Sequence, residues 1–193
     1  MRKVYAFDFD GTLTTKDTLL EFIRFAKGSL SFGLGFLRYA HLLVLMKLGL
    51  YPNYKAKQKV FAHFFKGMSL SDFNALCEAF AASSHQLLRP AGIKAIEAAQ
   101  QEHAEVLIVS ASIDNWVQPF FPQVKVLGTQ IEVKEGILTG RFLTNNCYGQ
   151  EKVNRIMALY PNRQDYYLTA YGDSRGDKEL LAFADESYFK PFR

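Results

Sequence analysis

The chain has 193 residues, 49% of them apolar and 22% charged, which is enough for one domain or a core plus a small insert and excludes a disordered chain. Its two cysteines, Cys77 and Cys147, stand far apart, which excludes a disulfide framework or a cysteine zinc site and suits a reducing cytoplasm. The net charge of +4 is uneven: eight of the 23 lysines and arginines, and none of the 19 acidic residues, fall between Glu21 and Asp72, so a cationic segment is set into an acidic remainder.

The first residues run straight into a strand, predicted over 4–9, with no signal-peptide pattern. Val4-Tyr5-Ala6-Phe7 has the β-branched, aromatic and apolar character of a buried strand. Asp8-Phe9-Asp10-Gly11-Thr12 follows. Side chains alternate along a strand, so the two carboxylates project to the same side. Gly11 lets the backbone turn sharply. Paired carboxylates beside a glycine turn with free N–H groups can hold a hard divalent cation and a phosphate together.

Residues 15–89 carry no strand pattern. Thr18-Leu-Leu-Glu21 reads as a capping box opening a helix that Gly28 ends. Residues 30–50 form a long apolar helical stretch closed by Gly49 and Pro52. Arg38, His41 and Lys47 interrupt it, so no uncharged run approaches the ~20 residues that a membrane span requires. Two more helices are predicted over 54–65 and 70–88, the second capped by Ser69 or Ser71. Lys55, Lys57 and Lys59 alternate along the first of these and cannot share one face. Cys77 is expected in the core, and His41 and His63 lack metal-ligand spacing. The cationic, aromatic-rich insert suits either an anionic membrane surface or a helical bundle filled by its own rings.

The remainder alternates helix and strand. Helices are predicted over 91–103, 113–120, 150–159 and 177–184, and strands over 106–110, 124–127, 166–171 and 187–189. Residues 129–142, with Glu135-Gly136 at their centre, read as an antiparallel hairpin. The expected fold is α/β: a three-layer Rossmann-like core with a parallel sheet, built from 1–14 and 90–193. An all-helical cap, 15–89, is inserted after the first strand, and the small antiparallel hairpin completes the fold. Three further segments bring chemistry to the same sheet edge, where the C-termini of parallel strands bind ligands. Ser110 ends one strand, Lys152 sits on the first turn after Gly149, and Gly172-Asp173-Ser-Arg-Gly-Asp177 ends another strand.

Asp8-Phe-Asp10-Gly-Thr12, Ser110, Lys152 and Gly172-Asp173-x-x-x-Asp177, in that order, resemble the four motifs of the haloacid dehalogenase-like hydrolases. The insert after the first motif and the Ser110-Ala111-Ser112 form of the second are similar to the phosphoserine phosphatase-like branch. Less closely, Cys147-Tyr148-Gly149-x-x-Lys152 and Phe189-Lys190-Pro191-Phe192 resemble a bacterial group that includes a phosphatidylglycerophosphatase. The resemblance implies a phosphatase using Mg²⁺, with Asp8 as nucleophile and Asp10 as acid and base. It implies metal oxygens from Asp8, the Asp10 carbonyl and Asp173, and phosphate contacts from Gly11, Thr12, Ser110, Ala111 and Lys152. Asp177 is implied to steady Lys152 or metal-bound water. Asp17 stands where phosphoserine phosphatases carry a glutamate that reads the substrate amine, and it equally fits a plain helix start. The expected substrate is a soluble phosphate ester or a lipid phosphate, in the cytoplasm or at the inner face of the membrane. A phosphotransferase with the same intermediate is the nearest alternative. A non-catalytic phosphate- or nucleic-acid-binding module is the other; the intact acidic set opposes it, and no nucleic-acid partner is expected.

Overall fold

The computed structural model describes residues 1–48 and 50–193. Gly49, expected to close the long cap helix, lies outside them. Strand β1, Arg2–Phe7, sits between β2, Glu105–Ile113, and β6, Tyr166–Gly172. Strand β3, Lys125–Thr129, extends the sheet beyond β2, and β7, Glu186–Phe189, beyond β6. All four pairings are parallel. The chain leaves β1 toward one edge and returns to its other side, so β1 is the switch point of the sheet, where a crevice opens at the strand C-termini.

Alternation along β1 divides the core. Val4 and Ala6 join Leu107, Val109, Ile156, Leu168 and Leu180 on one face. Phe7 joins Ile108 and Trp116 on the other. Helices α6, Gln150–Leu159, and α7, Lys178–Phe183, cover the first face. Helix α4, Pro90–Gln101, covers the second. The helix expected over 113–120 is only the short turn α5, Asp114–Val117, continued by a 3₁₀ turn at Gln118–Phe120. Pro119 cannot supply the N–H that a longer α-helix needs.

Three helices fill the insert: α1, Thr18–Lys47, α2, Asn53–Phe65, and α3, Leu70–Ser83. Gly28 breaks α1 with φ of 78° and ψ of 161°, and the helix resumes beyond it as the predicted second stretch. The predicted capping box at Thr18 and Glu21 does not form. Asp17 Oδ1 instead accepts from the N–H groups of Leu19 and Leu20 at 3.0 and 3.4 Å. Thr18 is turned to a partner in the core, described below. Ser69, the first of the two predicted caps, accepts from the Asp72 N–H at 3.1 Å.

Strands β4, Ile131–Lys134, and β5, Ile137–Phe142, form the expected antiparallel hairpin, with Glu135 and Gly136 both at positive φ in its turn. It ties the insert to the core. Leu138 exchanges backbone hydrogen bonds with Gly67 and Met68, both at 2.9 Å, and the Phe142 N–H donates to Gln58 at 2.9 Å. The packing is continuous as well. Phe22, fully buried on α1, lies 5.0 Å from the Trp116 ring of the core and 5.3 to 5.6 Å from Phe65, Phe73 and Phe80. Phe22→Ala should therefore destabilise the protein by about 3–5 kcal/mol, read as a lower urea midpoint at unchanged slope. A loss below about 1 kcal/mol would show that cap and core do not share one packed cluster.

Candidate active site

Three separate chain segments meet around one ammonium group. Lys152, on the first turn of α6, is almost fully buried. Its Nζ donates at 2.6 Å to Asp8 Oδ1, at the end of β1, and at 2.6 Å to Asp177 Oδ1, beyond β6. Asp8 Oδ2 accepts from the Thr12 hydroxyl at 3.0 Å, and the Asp8 N–H donates to the Tyr171 carbonyl at 2.9 Å. The second Asp177 oxygen accepts from the N–H groups of Asp173 and Ser174 and from the Ser174 hydroxyl, at 3.1, 3.0 and 2.9 Å.

Burial and charge work against each other here. Burial is the largest influence on Asp8, and with the nearby Asp177 charge it outweighs Lys152 and pushes the carboxyl up to about 7. Burial also acts to raise Asp177, but the Lys152 charge and its hydrogen bonds hold it below the usual carboxylate range. At Lys152 burial is opposed by the two carboxylates, which keep the ammonium charged.

Asp10 is held from two directions. Its Oδ1 accepts from the N–H and the hydroxyl of Thr18 at 2.7 and 2.6 Å, and its Oδ2 accepts from the Ser112 hydroxyl. The Trp116 indole N–H donates to the Thr18 hydroxyl at 3.2 Å, completing a buried polar chain between cap and core. Gly11 turns at φ of 83°, and a Cβ there would lie 2.6 Å from Asp173 Oδ2, so the turn requires glycine for both reasons.

Asp8, Asp173 and Asp177 each offer an oxygen within 4.8 Å of the others. Among the described residues the cations on these carboxylates are Lys152 and Arg193, whose guanidinium pairs with Asp173 Oδ2. An all-oxygen donor set with more negative than positive charge fits a hard divalent cation such as Mg²⁺. Burial raises Asp173, and the Arg193 charge opposes the rise.

The structure brings together Asp8, Asp10, Gly11, Thr12, Lys152, Asp173 and Asp177. Ser110 is buried, and its hydroxyl accepts from the Ser112 N–H at 3.0 Å. The Ala111 carbonyl accepts from the Thr129 hydroxyl at 3.1 Å. Asp17 caps the start of α1 through Oδ1. Sequence reasoning missed Thr18, Ser112, Trp116 and Arg193 as members of the site. Ser112 was findable: it lies two residues from Ser110 on one strand, so both point the same way. Arg193 was not, because the fold alone brings it to Asp173. The Lys190 N–H donates to the Gly172 carbonyl at 2.8 Å, and Phe192 stacks 5.5 Å from Tyr171. A narrow crevice between cap and core is lined by Leu19, Lys57, Phe61, Ala111, Ser112, Trp116 and Phe142. Lys57 is the charged side chain among them.

The family model for haloacid dehalogenase-like hydrolases matches residues 5–182. Protein CicA of Caulobacter vibrioides is 36% identical over 199 aligned positions, covering 97% of this chain and 86% of that protein. A protein of unknown function from Bordetella pertussis Tohama I superposes with a TM-score of 0.83 at 18% identity, over 97% of this chain and 89% of that one. A phosphoserine phosphatase solved as a phospho-aspartyl intermediate analogue superposes with a TM-score of 0.62 at 18% identity, over 96% and 85%.

Titration of Asp8 makes the metal-free protein sensitive to pH. An unfolded aspartate titrates near ~3.9. The folded value is raised, to about 7. Its contribution to stability is therefore complete below the unfolded value and is lost as pH rises through the folded one. In chelator the native chain should lose more unfolding free energy than Asp8→Asn between about pH 5 and pH 8. Equal losses in the two proteins would contradict the raised titration.

Proposed function

The chain belongs to the haloacid dehalogenase-like hydrolases, and we propose that it is a Mg²⁺-dependent phosphatase that cleaves a phosphate monoester through a phosphoryl group carried on Asp8. The observation that carries this reading is the pair of aspartates two residues apart with different partners. Asp8 is held by Lys152 and Thr12, and Asp10 by Thr18 and Ser112. One carboxylate is fixed as an attacking group beside a cation, and the other is fixed where a proton must move.

In this reading an ionised Asp8 oxygen attacks phosphorus, and the bond from phosphorus to the ester oxygen breaks. Asp10 gives its proton to the leaving oxygen. Water then attacks the aspartyl-phosphate, Asp10 takes the proton from that water, and Asp8 is regenerated as inorganic phosphate leaves. Lys152, Ser110 and the N–H groups of Thr12 and Ala111 bind the phosphoryl oxygens and stabilise their charge, while the Gly11 N–H is given to the Thr14 hydroxyl at 3.1 Å. Asp8, the Asp10 carbonyl and Asp173 would hold Mg²⁺, which relieves repulsion between the anionic carboxylate and the anionic ester. Asp177 positions Lys152.

The leaving group is assigned to the crevice between cap and core, which at about 10 Å³ has room for one water and must open to admit it. Its aromatic and aliphatic lining favours a leaving group with an apolar body, and the Lys57 ammonium acts there together with the nearby Asp17 carboxylate. Asp17 caps α1 through Oδ1 alone, which leaves its second oxygen for the amine-reading role that the resemblance implies. Whether the ester is soluble or a lipid phosphate follows from a screen across both classes. Capture of the phosphoryl group by added alcohol in place of water would identify a phosphotransferase instead.

Asp8→Asn should fold and lose all measurable turnover of a chromogenic phosphate ester. Asp10→Asn should lose most turnover and accumulate phosphorylated protein from an activated substrate, detected by intact-mass measurement. Full activity in Asp8→Asn would refute the proposed nucleophile. Separately, chelator should abolish turnover, Mg²⁺ should restore it, and Ca²⁺ should not, since its larger and looser coordination spoils in-line geometry. Turnover indifferent to chelator would exclude the metal.

A further inference from the structure

The second half of α1 faces two ways. Toward α2 it turns aromatic rings: Phe36 stacks 6.5 Å from Phe64, and Tyr39 meets His63 edge-on at 5.4 Å. Gly35 lies beneath Phe64 so closely that a Cβ would run into the ring. The outer face carries Leu30, Leu34, Leu37 and Val44, and Leu48, just past the helix end, continues it. Their spacings of four, three, seven and four residues keep them on one side of a helix. They are 79, 62, 74, 56 and 66% exposed. Single exposed leucines are ordinary, but five large aliphatic side chains aligned on one face mark an interaction surface.

Charge indicates what covers that surface. A groove of about 490 Å³ between α1 and α2 runs beside Leu34 and is lined by Lys27, Ser31, Arg38 and His63. Lys55, Lys59 and Lys66 are exposed on the adjoining α2 and just beyond it. Residues 22–71 contain no carboxylate at all. Symmetric pairing with a second copy would set this basic face against itself, with no carboxylate within residues 22–71 of either copy to compensate. A layer with phosphate groups above hydrocarbon matches both features at once. We propose that this face seats the cap on an anionic bilayer surface. The five aliphatic side chains enter the boundary of the acyl region, and Lys27 and Arg38 meet lipid phosphates. The helix lies along the interface, since no helix among the described residues is long and apolar enough to cross a membrane.

This goes beyond the phosphatase reading, and its test needs no turnover. The purified protein is sedimented with phosphatidylglycerol vesicles and with phosphatidylcholine vesicles, at low and high salt. It should sediment with the anionic vesicles at low salt, release as salt rises, and ignore the neutral ones. Leu30→Glu and Leu37→Glu should each weaken the binding by about tenfold or more, and Arg38→Ser by about fivefold. Circular dichroism melts should stay unchanged, because these side chains are exposed. Failure to sediment with anionic vesicles overturns the proposal, as does equal binding of the leucine variants. A dimer in sedimentation equilibrium that Leu37→Glu splits, with no vesicle binding, would assign the face to a second copy instead.

Discussion

The ammonium of Lys152 is the interaction on which the site depends. Three buried carboxylates converge at one edge of the sheet, and unscreened they would repel. Lys152 bridges two of them at 2.6 Å each, from a helix that follows the hairpin in the chain. Removing a partner from such a buried set leaves an uncompensated charge, so each member constrains the others. The arrangement also orders the backbone. Asp177 spends its second oxygen on the N–H groups that begin the turn after β6, which fixes where Asp173 points. Gly11 must then pass close under Asp173, and its positive φ makes that passage possible. The motif residues are a single electrostatic unit built from distant pieces of chain.

Asp10 extends this unit into the cap. Its carboxylate is held by Thr18 at the start of α1 and by Ser112 on β2, while Trp116 donates to the same Thr18 hydroxyl. Phe22, one turn further along α1, packs on the Trp116 ring. Any displacement of α1 must therefore disturb the residue that we propose moves the proton. Under that proposal, cap position and proton transfer would be coupled through one hydroxyl, a physical route from substrate enclosure to chemistry.

What could be read from the sequence divides along physical lines. Two strand ends were legible because alternation, glycine turns and parallel topology leave little freedom in where Asp8 and Asp173 emerge, whereas β2 runs three residues past Ser110 to Ile113. The hairpin was legible from Glu135-Gly136, yet its role in bridging cap and core was not, since that rests on backbone bonds to Gly67 and Met68. Thr18 was misread because a threonine three residues before a glutamate satisfies a local pattern. Its long-range partner Asp10 wins, and Asp17 takes over the capping. Arg193 carried no local pattern. It reaches Asp173 only because Phe192 packs on Tyr171 and Lys190 bonds to Gly172.

The lysines of α2 show how one short charged run serves two surfaces. Residues two apart on a helix point about 200° away from each other. Lys57 accordingly lines the crevice beside Ala111 and Ser112, while Lys55 and Lys59 are exposed. A cation in the crevice acts on whatever group leaves the proposed phosphoryl centre; exposed cations act on whatever the whole cap approaches. Reversing all three charges together would therefore change both properties at once. Replacing Lys57 alone separates substrate selection from surface attraction, because Lys55 and Lys59 keep the exposed face cationic.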